Sequence, residues 1–590
     1  MGCYVLSVLY LFFSFLFYPK TDKKLSIVEG IVYSIGLLFC YNTFVVYFNY
    51  LMHIHGSFFA FSIINFLVGT ILIIFIFRKR RVQKYLFLKK ELFAAFLIVS
   101  ILFLIGCFRF RGFSAISYES GDSAIHYRHA LYFSKELSLL DDVNSKDLVY
   151  GAFTYVMPLS YINGGIILKL LSTFKPYKVF LGYDIFCLIL SSLLFFCTIK
   201  RLCGERKYNY VYLVVMTFIY ILAYPFNSFL FGFCYLGLGI MVINLLYYTI
   251  FIFDKKISDD SIFKCIILFM ILFSVFFSYY MFVPCIYLAL GIYYISLWKD
   301  KKISFKKLLF YGSITLIVPF VLGFTRFFIF PRLQFGEDIG ISNTLSSWGY
   351  GYEDALTIYI FIFFTWYVIF DWIKKKKKDH IYFHINIVIL AGYICLFLVL
   401  YAFHFVSSYY LFKLFYLYWL FLGLGIVKRL FLYKRYLYVG GVVILLTCFY
   451  TFLNPNNGVT KFLTWLDIYH WNASTFVDNK IIYTKEELEL VEKAKEYQNI
   501  CRQNNRFLIL GDINKNVWFY SITDMIPTLS FINGDARNLY SLPNPSLDSW
   551  NGSTNYECAV YFYEEEKKDY EKSNFDILFS NHQGAILKKR

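Results

Sequence analysis

Long apolar runs separated by short basic stretches fill the first three quarters of the chain, and they predict helices that cross a membrane. A helix needs roughly 20 apolar residues to span about 30 Å of hydrocarbon. Fourteen stretches meet or approach that length: 3–18, 26–48, 57–77, 92–108, 179–199, 209–225, 229–253, 262–282, 283–298, 308–324, 355–373, 381–402, 409–427 and 436–453. The runs are continuous rather than alternating, which excludes a β-barrel built of short two-faced strands. After residue 453 the pattern becomes an ordinary soluble mixture. The expected architecture is a polytopic α-helical membrane protein of about 14 transmembrane helices over 1–453, with a small α/β domain over 454–590.

Within that last segment Thr484-Lys-Glu-Glu487 reads as a capping box opening an amphipathic helix to about residue 503. The stretch 506–511 (RFLILG) reads as a strand, 517–522 as the next element and 558–563 as another strand. Residues 576–580 and 585–589 flank Asn581-His-Gln-Gly584 as a terminal hairpin. No Gly-rich phosphate loop, nucleophile elbow or paired-carboxylate motif occurs there. Cys501 and Cys558 are the only two of the 13 cysteines in this segment, and they could pair. The other cysteines are scattered through the apolar runs as small packing residues. Asn472-Ala-Ser474 and Asn551-Gly-Ser553 match the glycosylation acceptor pattern, which chance matches often do.

The basic residues orient the helices. Alternate connections at 20–24, 78–90, 200–207, 255–264, 299–307, 374–378 and 428–435 hold 31 Lys and Arg. The opposite set, chiefly segments 109–178 and 325–354, holds ten. By the positive-inside rule the first set is cytoplasmic. Segments 109–178 and 325–354, both termini and everything after 453 are then expected outside. The first apolar run has lysines after it rather than before it, the reverse of a cleavable signal peptide.

Composition adds two exclusions. With 59% hydrophobic, 23% aromatic and only 16% charged residues, the chain is neither a soluble enzyme nor disordered. The net charge of +18 is not a nucleic-acid footprint, because residues 454–590 carry −3 and the excess lies in the cytoplasmic turns facing anionic lipid.

Candidate chemistry concentrates after the fourth run, in Ser117-Tyr-Glu119-Ser-Gly-Asp122-Ser-Ala-Ile-His126-Tyr-Arg128-His-Ala-Leu-Tyr-Phe133. From Asp122 onward the spacing of Ile125, His129, Tyr132 and Phe133 is helical. Asp122 thus sits at or near a helix start, where a carboxylate is favoured by the dipole and could also act as a plain N-cap. Asp141-Asp142 in the same segment is an alternative acidic pair in turn-like surroundings. Lys413 lies a few residues inside an apolar run. A charge there marks a functional site by default, although a lysine near a helix end can also snorkel to the interface. Arg326 and Arg332 are further cations at the outer level, or interfacial anchors.

The segment Asp122-x-x-x-His126-Tyr-Arg128 resembles the D-x-x-x-N-Y-R segment of oligosaccharyltransferase catalytic subunits, and more closely the D-x-x-x-H loop of bacterial arabinofuranosyltransferase-like proteins. Both belong to the GT-C class of membrane glycosyltransferases, whose acidic motif stands in a large outer loop just after a transmembrane helix. The W-W-D-Y-G motif of oligosaccharyltransferases is absent, so transfer to protein is not implied. The resemblance implies an enzyme of the outer face of a bacterial plasma membrane. It would move a sugar from a polyprenyl-phosphate donor to a cell-surface glycan or glycolipid. Asp122 would be the general base and Glu119 would orient the acceptor or bind a metal. Lys413, Arg326 and Arg332 would hold the donor phosphate, with His126 and Arg128 assisting. A divalent metal (Mg or Mn) is possible; no other cofactor is implied. Two alternatives are a polysaccharide polymerase or ligase using a diphosphate-linked glycan, and a lipid or solute transporter. A transporter predicts charges at mid-membrane and repeats between halves, and neither is legible.

Overall fold

The computed structural model describes residues 2–17, 24–52, 57–79, 83–135, 137, 139, 158–203, 209–253, 261–329, 389, 392, 395, 408–432, 464–501, 507–510, 513–523, 557–563 and 575–590. The predicted runs appear there as α1 (Gly2–Phe17), α2 (Ile27–Leu51), α3 (Phe58–Lys79) and α4 (Lys89–Arg109). Two shorter helices follow, α5 (Asp122–Lys135) and α6 (Leu159–Leu170), and then α7 (Pro176–Cys203). Next come α8 (Tyr210–Ile221), α9 (Tyr224–Phe231), α10 (Cys234–Ile252), α11 (Ser261–Ser278) and α12 (Val283–Lys299). After α13 (Phe305–Gly312) and α14 (Val318–Phe324), each followed by a π turn, α15 (Ser408–Leu432) covers the predicted 409–427 run. The predicted runs 355–373 and 436–453 lie outside the described residues, as does nearly all of 381–402.

The chain is a multi-pass helical membrane protein. Among the described residues seven helical stretches are long and apolar enough to cross a membrane, or eight if the bent pair α8–α9 counts as one span. The expectation of about 14 is therefore met in kind, and only in part in number. Helices α2, α7 and α10 are buried along most of their length. By contrast α3 exposes Phe59, Ile63, Leu67 and Ile71 at four-residue steps, a continuous apolar stripe of the sort that faces lipid.

One bundle end is tied by buried charge. Ser26 caps α2 in a capping box with Glu29 and donates from its hydroxyl to Glu91 at the start of α4 (2.6 Å). Lys200, near the end of α7, lies 2.7 Å from Glu91 and 3.3 Å from Glu29, and Arg201 also grips Glu29. Two acids and two bases neutralise one another, so each charge keeps a partner away from water. Short strands β1 (Leu25–Ser26) and β2 (Tyr85–Leu86) pair in parallel beside this network. The first turns of α2 and α4 and the last turn of α7 accordingly meet at one end of the bundle.

The predicted runs 209–225 and 229–253 divide differently in the structure. α8 and α9 meet at a 50° bend, and α9 ends at Gly232 in the left-handed conformation (φ 75°) before α10 begins at Cys234. Pro225 supplies no N–H and so ends α8 early. The carbonyls freed by the break are taken by side chains from far along the chain. Tyr469 donates to Ile219 O (2.6 Å), Trp419 Nε1 to Tyr220 O (3.0 Å), and Asn472 Nδ2 to both Leu222 O and Ala223 O (2.8 Å each). Broken backbone at membrane depth persists only where such donors exist. Asn472 is only 1% exposed, which removes it as a glycosylation acceptor. Asn472→Ala is expected to cost about 2–3 kcal/mol, because buried carbonyls lose their donor. A melting temperature equal to that of the parent would contradict this.

Beyond residue 463 the structure holds α16 (Thr464–Asp478), α17 (Lys485–Glu496) and α18 (Ile513–Thr523). A four-stranded sheet runs in the order β3-β4-β6-β5, from β3 (Phe507–Leu510), β4 (Cys558–Phe562), β5 (Phe575–Asn581) and β6 (Gly584–Lys589). β3 and β4 are parallel, and the other two pairings are antiparallel. The Thr484 capping box is present, but its helix ends at Glu496 rather than near 503, and 517–522 belongs to a helix. Gly584 lets β6 approach β4: a Cβ there would come 2.3 Å from Tyr561 O. Cys501 and Cys558 form a disulfide that ties the end of α17 to β4.

Candidate active site

The loop between α4 and α5 is fastened before it reaches Asp122. Arg109, the last residue of α4, is fully buried; its guanidinium pairs with Glu119 Oε1 (2.8 Å) and donates to Thr475 O (2.8 Å) and Ser117 O (3.3 Å). Ile116 forms a β-bridge with Tyr483, and Ser117 Oγ lies 2.7 Å from Asn479 Oδ1. Glu119 N donates to Leu230 O (3.0 Å) at the end of α9. The Glu119 carboxylate is thus engaged in holding the loop to α4. Sequence reading missed Arg109, whose only signal was a cation at the end of an apolar run.

The turn Ser120-Gly121-Asp122 then opens α5. Asp122 is the first residue of that helix, where the dipole favours its negative charge. Its backbone N–H donates to Ser120 Oγ (3.1 Å), and its side chain is half-buried. One helical turn further, His126 shares its face. His126 Nδ1 is 2.7 Å from the Tyr161 hydroxyl on α6, and its ring meets Tyr235 edge-on at 5.0 Å. Tyr235 on α10 accepts a hydrogen bond from Lys413 Nζ (2.8 Å), and the same ammonium sits 5.0 Å above the Phe233 ring.

The Asp122 carboxylate and the Lys413 ammonium, far apart in sequence, are within electrostatic reach of one another. Tyr161 also feels the Asp122 charge. His126 with Tyr161, and Lys413 with Tyr235, thus gather among aromatic rings, with Asp122 one helical turn before His126.

The remaining sequence candidates distribute as follows. Arg128 is fully buried and its Nη1 donates to Tyr520 O on α18 (3.3 Å). Arg326, in the π turn Thr325–Ile329, is buried with its guanidinium 5.1 Å from the Tyr50 ring centre, a cation–π contact to α2. Arg332 and the Asp141-Asp142 pair lie outside the described residues. Asp184 is a buried acid nine residues into α7, beside Tyr118. Among the described residues no group of three or more His, Cys, Asp or Glu side chains gathers as metal ligands. Tyr161 and Tyr235 carried no sequence signal beyond being two of many tyrosines.

Burial, and then the Lys413 charge, push the His126 imidazole down to about 3, so the ring is neutral at neutral pH. An unfolded histidine titrates near 6.5. Below that pH the unfolded chain binds a proton that the native state refuses, so His126 removes stability as the pH falls from about 6.5 towards 3. His126→Gln should flatten the dependence of melting temperature on pH across this window. A slope parallel to that of the parent would show that another group is responsible.

No protein-family profile and no curated protein matches the sequence. Solved structures that resemble it include two membrane proteins. One is ArnT from Cupriavidus metallidurans bound to undecaprenyl phosphate, with TM-score 0.45 and 9% identity, covering 83% of this chain and 97% of that one. The other is the archaeal oligosaccharyltransferase AglB from Archaeoglobus fulgidus, in complex with an inhibitory peptide and a dolichol-phosphate. Its TM-score is 0.38 at 10% identity, covering 79% of this chain and 69% of that one.

Proposed function

We propose that the chain is a GT-C-type glycosyltransferase that moves a sugar from a polyprenyl-phosphate donor to a cell-surface glycan or glycolipid on the outer face of a bacterial plasma membrane. The observation that supports it is the cluster of His126, Tyr161, Tyr235 and the Lys413 ammonium, with Asp122 one helical turn before His126 at the start of α5. Asp122 takes the proton of the acceptor hydroxyl as its oxygen bonds to the anomeric carbon. The bond from that carbon to the phosphate oxygen breaks, and the electron pair leaves with the polyprenyl phosphate. Lys413 holds this anion, and Tyr235 holds Lys413.

The aromatic rings beside the buried Lys413 lower the local polarity, which strengthens its hold on the anion relative to bulk solvent. Arg326 and Arg332 are assigned to the donor phosphate as further cations. Glu119, gripped by Arg109, acts by keeping the loop in place. The test is sugar transfer in proteoliposomes supplied with polyprenyl-phosphate sugars and a glycolipid acceptor, with Asp122→Asn and Lys413→Met as its two arms. Undiminished transfer by Asp122→Asn sinks the reading.

A further inference from the structure

α18 reaches back from the end of the chain onto α5, and its contacts gather at the turn that carries Asp122. Trp518 is the largest fully buried side chain among the described residues. Its indole stacks on Tyr118 (6.0 Å between ring centres, 3° between planes) and on Tyr127 (5.6 Å, 20°). Tyr118 precedes the turn and Tyr127 follows it, so one indole grips both arms.

A buried indole N–H needs an acceptor, and Trp518 Nε1 finds Ser123 Oγ at 3.1 Å. Ser123 Oγ in turn donates to Ser120 O (2.7 Å), while Ser120 Oγ accepts from Asp122 N (3.1 Å). Behind the turn, a Cβ on Gly232 would come 2.5 Å from Ser123 Cβ, so α9 closes the other side. Arg128 adds its hydrogen bond to Tyr520 O. On the far face, Tyr483 donates to Lys515 O (2.7 Å), and Lys515 pairs with Glu487 on α17.

We propose that Trp518 is a positioning residue for Asp122: through Ser123 and Ser120 it fixes the turn that sets where the carboxylate stands. This rests on the reading of Asp122 as the reacting group. It also gives the terminal segment a task at the site. A reacting carboxylate must be held to within about 0.5 Å by neighbours that are themselves locked.

The test reads the turn itself rather than turnover. Full-length protein in detergent carries Ser120→Cys, and the rate of its labelling by a polar maleimide is read by peptide mass spectrometry. Trp518→Phe keeps the stack and loses the N–H, and it should speed labelling about threefold, the worth of one hydrogen bond. Ser123→Ala should do the same. The double variant should again give about threefold rather than their product, because both act through one linkage. Trp518→Ala, which also loses both stacks, should reach about tenfold or more. Labelling unchanged in Trp518→Phe, or full additivity with Ser123→Ala, overturns the proposal. The labelling result holds whichever way Asp122→Asn behaves in transfer, so failure of the positioning role and failure of the base assignment are told apart.

Discussion

Replacing Asp122 by asparagine is expected to lower transfer by about 10²–10⁴-fold, the usual contribution of a positioned general base. The amount of folded protein should stay the same. Asparagine is as good as aspartate at a helix start, and the Asp122 N–H keeps its bond to Ser120 Oγ because that contact belongs to the backbone. The amide cannot take a proton from an acceptor hydroxyl, so the loss falls on the rate of the chemical step. Donor affinity should change little, since Lys413 and its aromatic surroundings are untouched. Initial rates at saturating donor read the effect. A drop confined to KM would instead make Asp122 a binding residue.

Lys413→Met is the second large effect. Methionine fills much the same volume among Phe233 and Tyr235, so the fold should hold while the charge is lost. A charge-assisted hydrogen bond is worth about 1.5–3 kcal/mol, so competition by undecaprenyl phosphate should weaken by roughly 10- to 100-fold. The departing phosphate also loses its counter-charge, so transfer falls along with binding. Lys413→Arg should restore only part of this, because a flat guanidinium does not fit the place of a compact ammonium bonded to Tyr235. Unaltered competition in Lys413→Met would place the phosphate elsewhere and leave Lys413 as an interfacial anchor.

How much of this was legible in the sequence depends on the range over which each feature is encoded. Helices such as α2, α4 and α7 were readable because an apolar run of bilayer length is a local property. The terminal hairpin and the Thr484 capping box were local too. The break between α8 and α9 was misread even though Pro225 and Gly232 stood within the predicted runs, because hydropathy weighs composition and ignores backbone breakers. The end of the helix near Glu496 was overrun for the same reason: charged periodicity continued past the last turn.

At the site, Asp122 and Lys413 each announced themselves, one by its place after an apolar run and the other as a charge inside one. Their meeting did not, since it passes through Tyr235, 178 residues before Lys413. Nor did Trp518, 395 residues from its partner Ser123, or the burial of Arg128 against α18. Glu119 was read as a site carboxylate because Arg109, ten residues earlier, was counted only as a loop cation.

The α8–α9 break has a consequence for biogenesis. Its carbonyls at Ile219, Tyr220 and Leu222 accept from Tyr469, Trp419 and Asn472, which leave the ribosome some 200 to 250 residues later. Until those arrive, these peptide groups have no side-chain donor. The kinked pair therefore reaches its final contacts only after residues around 470 have been synthesised, so this part of the bundle is completed by segments made long after it.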